Sequence, residues 1–394
     1  MKPREIRPGI FAVGAVDWDR RLFDALIPLP DGTTYNSYLI KGKDKTVLID
    51  TVDPEKIEVL LAHLQELDIK NIDYIITHHA EQDHSGSLPV VLEKYSSAKV
   101  MCTPKCKTML IDLSLATEDR IITVEDKENI SLGDKTLEFI YTPWVHWPET
   151  MTTYLKEERI LFSCDFFGAH LANSDLYVKD DAQLYESAKR YYAEIMMPFR
   201  TVIQNNLQKI KDYKFDVIAP SHGPVHDKPE FILNAYKSWA YDEPKNTVIL
   251  PYVSMHGSTA KMVDYFTGAL MDRGVTVKRF DLTTVDVGKM AMSLIDAATI
   301  VIGTPTVLAG PHPLAAYAAF LANALRANTK FVSIIGSYGW GGKTVDILAG
   351  MITSLKVEVL DPVICKGFPG KVDFEALDKL ADLIADKHQQ NKYV

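Results

Sequence analysis

Cysteine is scarce in this 394-residue chain. The four that occur, Cys102, Cys106, Cys164 and Cys365, are too few and too scattered to frame a disulfide-stapled fold. Cys102 and Cys106 stand four apart rather than at the two-residue gap of a zinc ribbon, and read as buried reduced thiols. An excess of basic residues is also missing. A formal net charge of −9 argues against nucleic acid or an anionic membrane surface as the main partner. No apolar run is long enough to span a bilayer, and the best candidate, Leu314 to Leu325, is broken by Asn323 and reads as a packed helix. The start offers only a short apolar stretch before Asp17 and Asp19, so no secretory signal is expected and the expected location is cytoplasmic. Internal repeats and low-complexity tracts are absent.

The length exceeds the ~250–300 residues at which one core stops growing, so two or three domains are expected. Two rhythms divide the chain. Up to about Tyr241, short strands alternate irregularly with helices: NSYLIKG, TVLID, DYIIT, AKVMC, TLEFIYT, MTTYL and RILFS read as strands. Asp53 and Pro54 supply an N-cap and first-turn proline for a helix with Ile57, Leu60, Leu61, Leu64 and Leu67 on one face. This pattern implies sheet layers covered by helices. The polar stretch Asp242-Glu243-Pro244-Lys245-Asn246 then reads as a linker. Beyond it, five apolar strands alternate with five helices, which describes a doubly wound parallel sheet. Domains are therefore expected over 1–243 and 247–394.

Directly after DYIIT comes THHAEQDHSGSLP, which places His79, Glu81, Asp83 and His84 within six residues of each other at a strand end. On extended backbone alternate residues share a face, so His79, Glu81 and Asp83 can converge, with His84 swinging in from the turn. Further candidates follow other strands: His146 in YTPWVHWPET, Asp165 after RILFSC, and His222 in PSHGP. Alone, each has a plain structural reading as a packed histidine, a turn or a cap. Together they are seven ligand-type side chains at four strand ends.

His-x-Glu-x-Asp-His with a distant His, Asp and His resembles the ligand plan of the metallo-β-lactamase fold. Zinc hydrolases of that fold usually carry His where this chain has Glu81. Exchanging an imidazole for a carboxylate hardens the site, and mixed His/carboxylate ligation suits iron better than zinc. The Glu form is the mark of the flavodiiron proteins, which this chain resembles over nearly its whole length, including VGAVDWD, GTTYNSYLI and HWPET. The resemblance implies an αββα sandwich domain followed by a flavodoxin-like one. It also implies two non-haem irons, one held by His79, Glu81 and His146, the other by Asp83, His84 and His222, with Asp165 bridging. His78 and Cys164 are expected to face away, His226 is not expected to be a ligand, and His170 is expected to stand behind the ligands. The position at which many relatives carry a histidine near the pocket is Asp24 here.

In the second domain the first strand ends in Ser254-Met255-His256-Gly257-Ser258-Thr259 and a helix follows. Backbone amides at a helix start, joined by hydroxyls, form an anion site. No Walker-type lysine follows, so a nucleoside triphosphate is not expected. The segment resembles the phosphate loop of flavodoxins, which implies FMN. Two later loops, containing Pro305, Thr306, Val307 and Leu308, and Ser337, Tyr338, Gly339, Trp340 and Gly341, lie where ligands bind in such sheets. Their aromatics beside glycines suit a planar isoalloxazine. Many relatives have asparagines where Val307 and Leu308 stand.

The resemblance implies reduction of dioxygen to water, of nitric oxide to nitrous oxide, or both. It implies electrons from rubredoxin or a reduced deazaflavin (coenzyme F420), and a head-to-tail homodimer or tetramer. With no C-terminal Cys-x-x-Cys pair, a two-domain form without fused rubredoxin is expected. The rival reading is a zinc-dependent hydrolase whose appended flavodoxin-like domain mediates interactions.

Overall fold

The computed structural model describes residues 2–393. The chain divides into two compact units. The first runs to Tyr191 and resumes over Phe199–Ala240; the second takes Tyr192–Pro198 and everything from Tyr241. Tyr192–Pro198, a π-helical turn running into a 3-10 turn, goes with the second unit although it lies within the first half of the sequence. No composition shift announces it.

The first unit stacks two sheets. Strands β1 (Arg4–Arg7), β2 (Ile10–Ala12), β3 (Tyr38–Lys41), β4 (Thr46–Ile49), β5 (Tyr74–Ile76), β6 (Lys99–Cys102) and β7 (Ile121–Thr123) lie side by side in chain order. They pair antiparallel as far as β4 and parallel beyond it. The second sheet holds β8 (Asn129–Ser131), β9 (Thr136–Tyr141), β10 (Met151–Leu155), β11 (Ile160–Cys164) and β12 (Val217–Pro220), with only the last pair parallel.

Side chains alternate across a strand, and the central strands use both faces. Leu39, Leu48, Ile75 and Val100 enter one core, with Leu60 and Leu64 of α1 (Ile57–Glu66) and Leu110 of α4 (Pro104–Asp112). Their neighbours Ile40, Val47, Ile49, Ile76 and Met101 enter the other, facing Phe139, Met151, Leu155, Ile160 and Phe162 of the second sheet. Strands buried on both faces need near-continuous apolar runs, which is why TVLID and DYIIT are so legible.

In the second unit β13 (Lys245–Tyr252), β14 (Thr276–Asp281), β15 (Ala297–Val307), β16 (Phe331–Tyr338) and β17 (Val363–Lys366) form a parallel sheet in the order β14-β13-β15-β16-β17. Helices α8 (Ser258–Met271) and α12 (Lys371–Gln390) bury Met262, Phe266, Leu377 and Ile384 against Val248, Leu250, Val301 and Ile335. The expectation of five apolar strands needs correcting at both edges: β14 is largely exposed, its Lys278 and Arg279 discouraging further pairing, and the fifth strand is Val363–Lys366 instead of the expected residues 357–362, where only the exposed Glu358–Val359 is extended. A further correction concerns the loop expected from Thr304. Strand β15 runs on through Val307 and pairs antiparallel with Gly310–Pro311. Leu308 and Ala309 make the turn in left-handed conformation, at φ 50° and 64°, as a two-residue hairpin requires. With no glycine in the turn, the sequence concealed it. Among the described residues no helix is long and apolar enough to cross a membrane.

Candidate metal centre and flavin loops

The seven residues singled out in the sequence come together at one edge of the first unit's sandwich. His79 lies three residues past β5, whose exit is held by the bond from Thr77 N–H to Met101 C=O. Glu81 is extended and starts the short helix α2 (Gln82–Ser85), whose amides at His84 and Ser85 bond to the Glu81 carbonyl. Asp83 and His84 therefore come from adjacent positions of one helical turn, so Asp83 is not presented by alternating extended backbone as the sequence suggested, while His84 does come from the turn. His146, Asp165 and His222 follow β9, β11 and β12, three strands that run in the same direction. Asn36 pins the His222 loop, its amide donating to the Pro220 and Gly223 carbonyls, both at 2.8 Å.

Two clusters result. In one, His79 Nε2 and His146 Nε2 lie 3.0 and 3.1 Å from Glu81 Oε2, and each is 3.6 Å from Asp165 Oδ2. In the other, His222 Nε2 is 3.1 Å from Asp83 Oδ2 and His84 Nε2 is 3.5 Å from Asp83 Oδ1. Asp165 Oδ1 stands 3.1 Å from His84 Nε2 and 3.4 Å from His222 Nε2. One oxygen of Asp165 thus serves each cluster.

These spacings fit metal ligation. Donors about 2.1 Å from a shared ion, at right or tetrahedral angles, are about 3.0 or 3.4 Å apart. Yet both oxygens of Asp83, both of Asp165 and Nε2 of His84 are buried without a hydrogen bond. Orphaned polar atoms are costly, and here they converge on common points. The donors are imidazoles and carboxylates, a set suited to iron.

The electrostatics describe a centre short of positive charge. Burial lowers the His79 pKa, but its bonds to Glu149 and Glu81 and the charge of Asp165 outweigh this and hold it well above the usual value. Burial likewise opposes the charged form of His84, and Asp83 and Asp165 overcome it. His222, despite burial, is pushed up to about 9 by Asp165 and Asp83. The Asp165 carboxyl, although buried, is held well below the ordinary range by His84 and His222.

Of the neighbouring residues, one departs from its expected place. His78 does turn away, with Nδ1 3.1 Å from Asp50 Oδ2 and Nε2 2.7 Å from Thr153 Oγ1. Cys164, expected to face away, instead lies among Asp50 and His78 and close to the donor atoms of His84 and Asp165. Its left-handed φ of 54° and the irregular register between Phe162 and Cys164 break the strand's alternation. Burial, then the charge of Asp165, pushes its thiol pKa well up. His226 lies apart, bonded through Nε2 to the Phe167 carbonyl at 3.1 Å. His170 stands behind His222, ring centroids 4.9 Å apart, with Nδ1 2.9 Å from Thr33 Oγ1. Asp24, at the tip of the Leu22–Phe23/Ile27–Pro28 hairpin, faces the cluster; burial and then Glu81 raise its pKa to about 6. Two carboxylates escaped sequence reasoning. Asp50 follows β4 and accepts the His78 amide, and Glu149 accepts from His79 Nδ1 at 2.7 Å. An acid ending an apolar strand was the available signal for Asp50.

In the second unit the three flavin-type loops leave adjacent parallel strands, with Tyr252 opposite Gly303 and Pro305 opposite Ser337. Gly257 starts α8 in left-handed conformation, at φ 88°. Ser254 Oγ accepts from the Ala260 amide at 3.1 Å, and Thr259 Oγ1 and Ser337 Oγ are 3.3 Å apart, which ties the first loop to the third. No atom would lie within 4 Å of a Cβ at Gly257, Gly339 or Gly341, so the backbone there is open to close approach. Trp340, 71% exposed, and Leu308, 92% exposed, flank that opening.

A family described as ODP family beta lactamase matches residues 33–223. A nitric oxide reductase of Moorella thermoacetica is 35% identical over 366 residues, 91% of this chain and 92% of that one. The solved structure of rubredoxin oxygen:oxidoreductase from Desulfovibrio gigas superposes with a TM-score of 0.94 at 29% identity, covering 98% of this chain and 99% of that one. The flavodiiron protein of Giardia intestinalis superposes with a TM-score of 0.90 at 28% identity, covering 98% of both chains.

Proposed function

The chain belongs to the flavodiiron proteins, and from that membership we propose that it reduces dioxygen to water, nitric oxide to nitrous oxide, or both, at a diiron centre supplied through FMN. It is an oxidoreductase. The observation that carries the reading is Asp165, with one carboxylate oxygen turned to each of two His/carboxylate clusters.

His79, Glu81 and His146 would hold one iron and Asp83, His84 and His222 the other, with an oxygen of Asp165 turned to each cluster. When bound, two ferrous ions and reduced FMN supply the four electrons that dioxygen requires, or the two required by a pair of nitric oxide molecules. Phe23, whose ring lies 5.1 Å from His170 and 6.4 Å from His222, walls the pocket with an apolar face. The segment Ser254–Thr259 receives the FMN phosphate. Pro305–Leu308 and Ser337–Gly341 flank the ring, with Tyr338 and Trp340 offering aromatic faces. Rubredoxin or a reduced deazaflavin donates the electrons. The working unit is a head-to-tail homodimer or a tetramer of such pairs, the flavin of one subunit serving the irons of its partner.

A zinc hydrolase is not favoured. The relatives reported above carry the names of oxidoreductases, and Glu81 stands in place of an imidazole that zinc enzymes of this fold use. Protein produced with iron available is expected to contain two irons and one FMN per chain, by elemental analysis and visible absorbance. Steady-state turnover with each gas and each donor then identifies the substrate. Stoichiometric zinc, or a colourless product, would sink the proposal.

A further inference from the structure

Glu149 lies in the loop between β9 and β10, outside the proposed ligand set, and is as deeply buried as its members. Its Oε1 accepts twice, from His79 Nδ1 at 2.7 Å and from the Ala80 amide at 3.0 Å. Because Nδ1 donates, Nε2 of His79 keeps its lone pair for the metal side, where Glu81 and Asp165 stand. The other oxygen, Oε2, has no hydrogen-bond partner. A half-satisfied buried carboxylate costs stability, so a gain beyond capping one amide is called for. The loop is held firmly, since the Thr103 hydroxyl donates to the Glu149 carbonyl at 2.9 Å. Trp147 packs edge-on to His79, ring centroids 5.0 Å apart, and keeps the pair dry, where charge acts more strongly.

No other histidine of the set is dressed this way. His222 Nδ1 donates to a neutral acceptor, the Thr34 carbonyl, at 2.6 Å. The carboxylate nearest His84 Nδ1, on Asp50, is 4.0 Å away, beyond hydrogen-bond reach. His146 meets its carboxylates, Glu81 and Asp165, through Nε2, and its side chain is partly exposed.

We propose that Glu149 is a positioning residue that makes the two irons unequal. A carboxylate on the far nitrogen of a ligating imidazole fixes its tautomer and raises its basicity. A more basic donor, with a negative charge behind it, favours the ferric over the ferrous ion. The iron held by His79, Glu81 and His146 is therefore the one oxidised first, and the chain's asymmetry lies in its outer carboxylate more than in its ligands. This inference rests on the diiron reading.

The test compares Glu149→Gln and Glu149→Ala with the parent protein by iron content, FMN content and a redox titration followed by EPR of the mixed-valent state. Glutamine keeps an acceptor for both donors and removes only the charge. It is expected to retain both irons and FMN while favouring the ferrous form of one iron about tenfold, an upward shift of about 60 mV for one electron, with the second iron unmoved. Alanine is expected to weaken one iron about 10–100-fold and to leave FMN bound. Unchanged potentials in Glu149→Gln, equal shifts of both irons, or parental iron affinity in Glu149→Ala would overturn the inference. Parent protein without two irons would instead overturn the reading beneath it. Should the alanine variant not fold, the glutamine variant decides alone.

Discussion

Four positions separate His222 from His226, and a single left-handed glycine sends them to different tasks. Gly223 has φ 82°, and a Cβ there would stand 2.8 Å from the Ala169 carbonyl, so the turn requires glycine. Before the turn, His222 reaches Asp83 and Asp165; after it, His226 is buried, its pKa lowered by that burial to about 4, and it donates to Phe167 as a neutral ring. Substituting His222→Ala is expected to strip or loosen one iron and abolish turnover. His226→Ala is expected to keep both irons and to cost about 1–3 kcal/mol of stability for a buried hydrogen bond. Iron analysis alongside denaturant unfolding separates the two, and the opposite pattern would reassign the loop. At this scale the sequence revealed donors by type and motif, because four ligand-type residues within six positions are improbable on a plain loop. It could not reveal Glu149, and for Asp50 it offered only an ambiguous signal. An acid after a strand reads equally as a turn or a cap until the imidazole it faces, distant in sequence, has a place in space.

Among the helices, α12 carries an element-scale consequence. Its His388 is buried, with Nδ1 2.8 Å from Asn246 Oδ1 and Nε2 2.7 Å from Thr299 Oγ1, so it joins the last helix to β13 and β15. Burial lowers its pKa to about 4, against about 6.5 for an unfolded histidine. The unfolded chain therefore binds the extra proton first. The contribution is complete above pH about 6.5 and fades as pH falls toward 4, by on the order of 2 kcal/mol once partial screening is allowed for. The stability gap between the parent and His388→Gln, from urea unfolding at stepped pH, should narrow across that window; a constant gap refutes the assignment. Elements were legible where burial imposed a pattern, as in the apolar strands β4, β5, β11 and β15. They were obscure where it did not. Edge strand β14 carries charge, α2 is a single turn, and the hairpin after β15 lacks the usual glycine.

At the scale of the whole molecule, the two units keep chemistry and electron supply on separate folded bodies. The proposed exchange between subunits makes this testable by complementation. Chains unable to hold iron (His79→Ala), mixed with chains whose Ser254–Thr259 loop is disrupted, are expected to regain part of the activity that neither has alone. Full activity in a verified monomer excludes the arrangement. A change of rhythm near Tyr241 was the sequence's signal for a boundary, whereas the short segment Tyr192–Pro198, which goes with the second unit, carried none, because affiliation with a part of the chain remote in sequence leaves no mark on local periodicity. Finally, the metal edge draws His79 through His84 from the loop after β5, in the first sheet, and His146, Asp165 and His222 from the second. No early fragment of the nascent chain has both halves of either cluster. The first cluster is incomplete until Asp165, and the second until His222, has left the ribosome and the sheets have closed, so neither could take iron early in synthesis. The growing polypeptide thereby has no finished pocket in which to trap a wrong cation during synthesis.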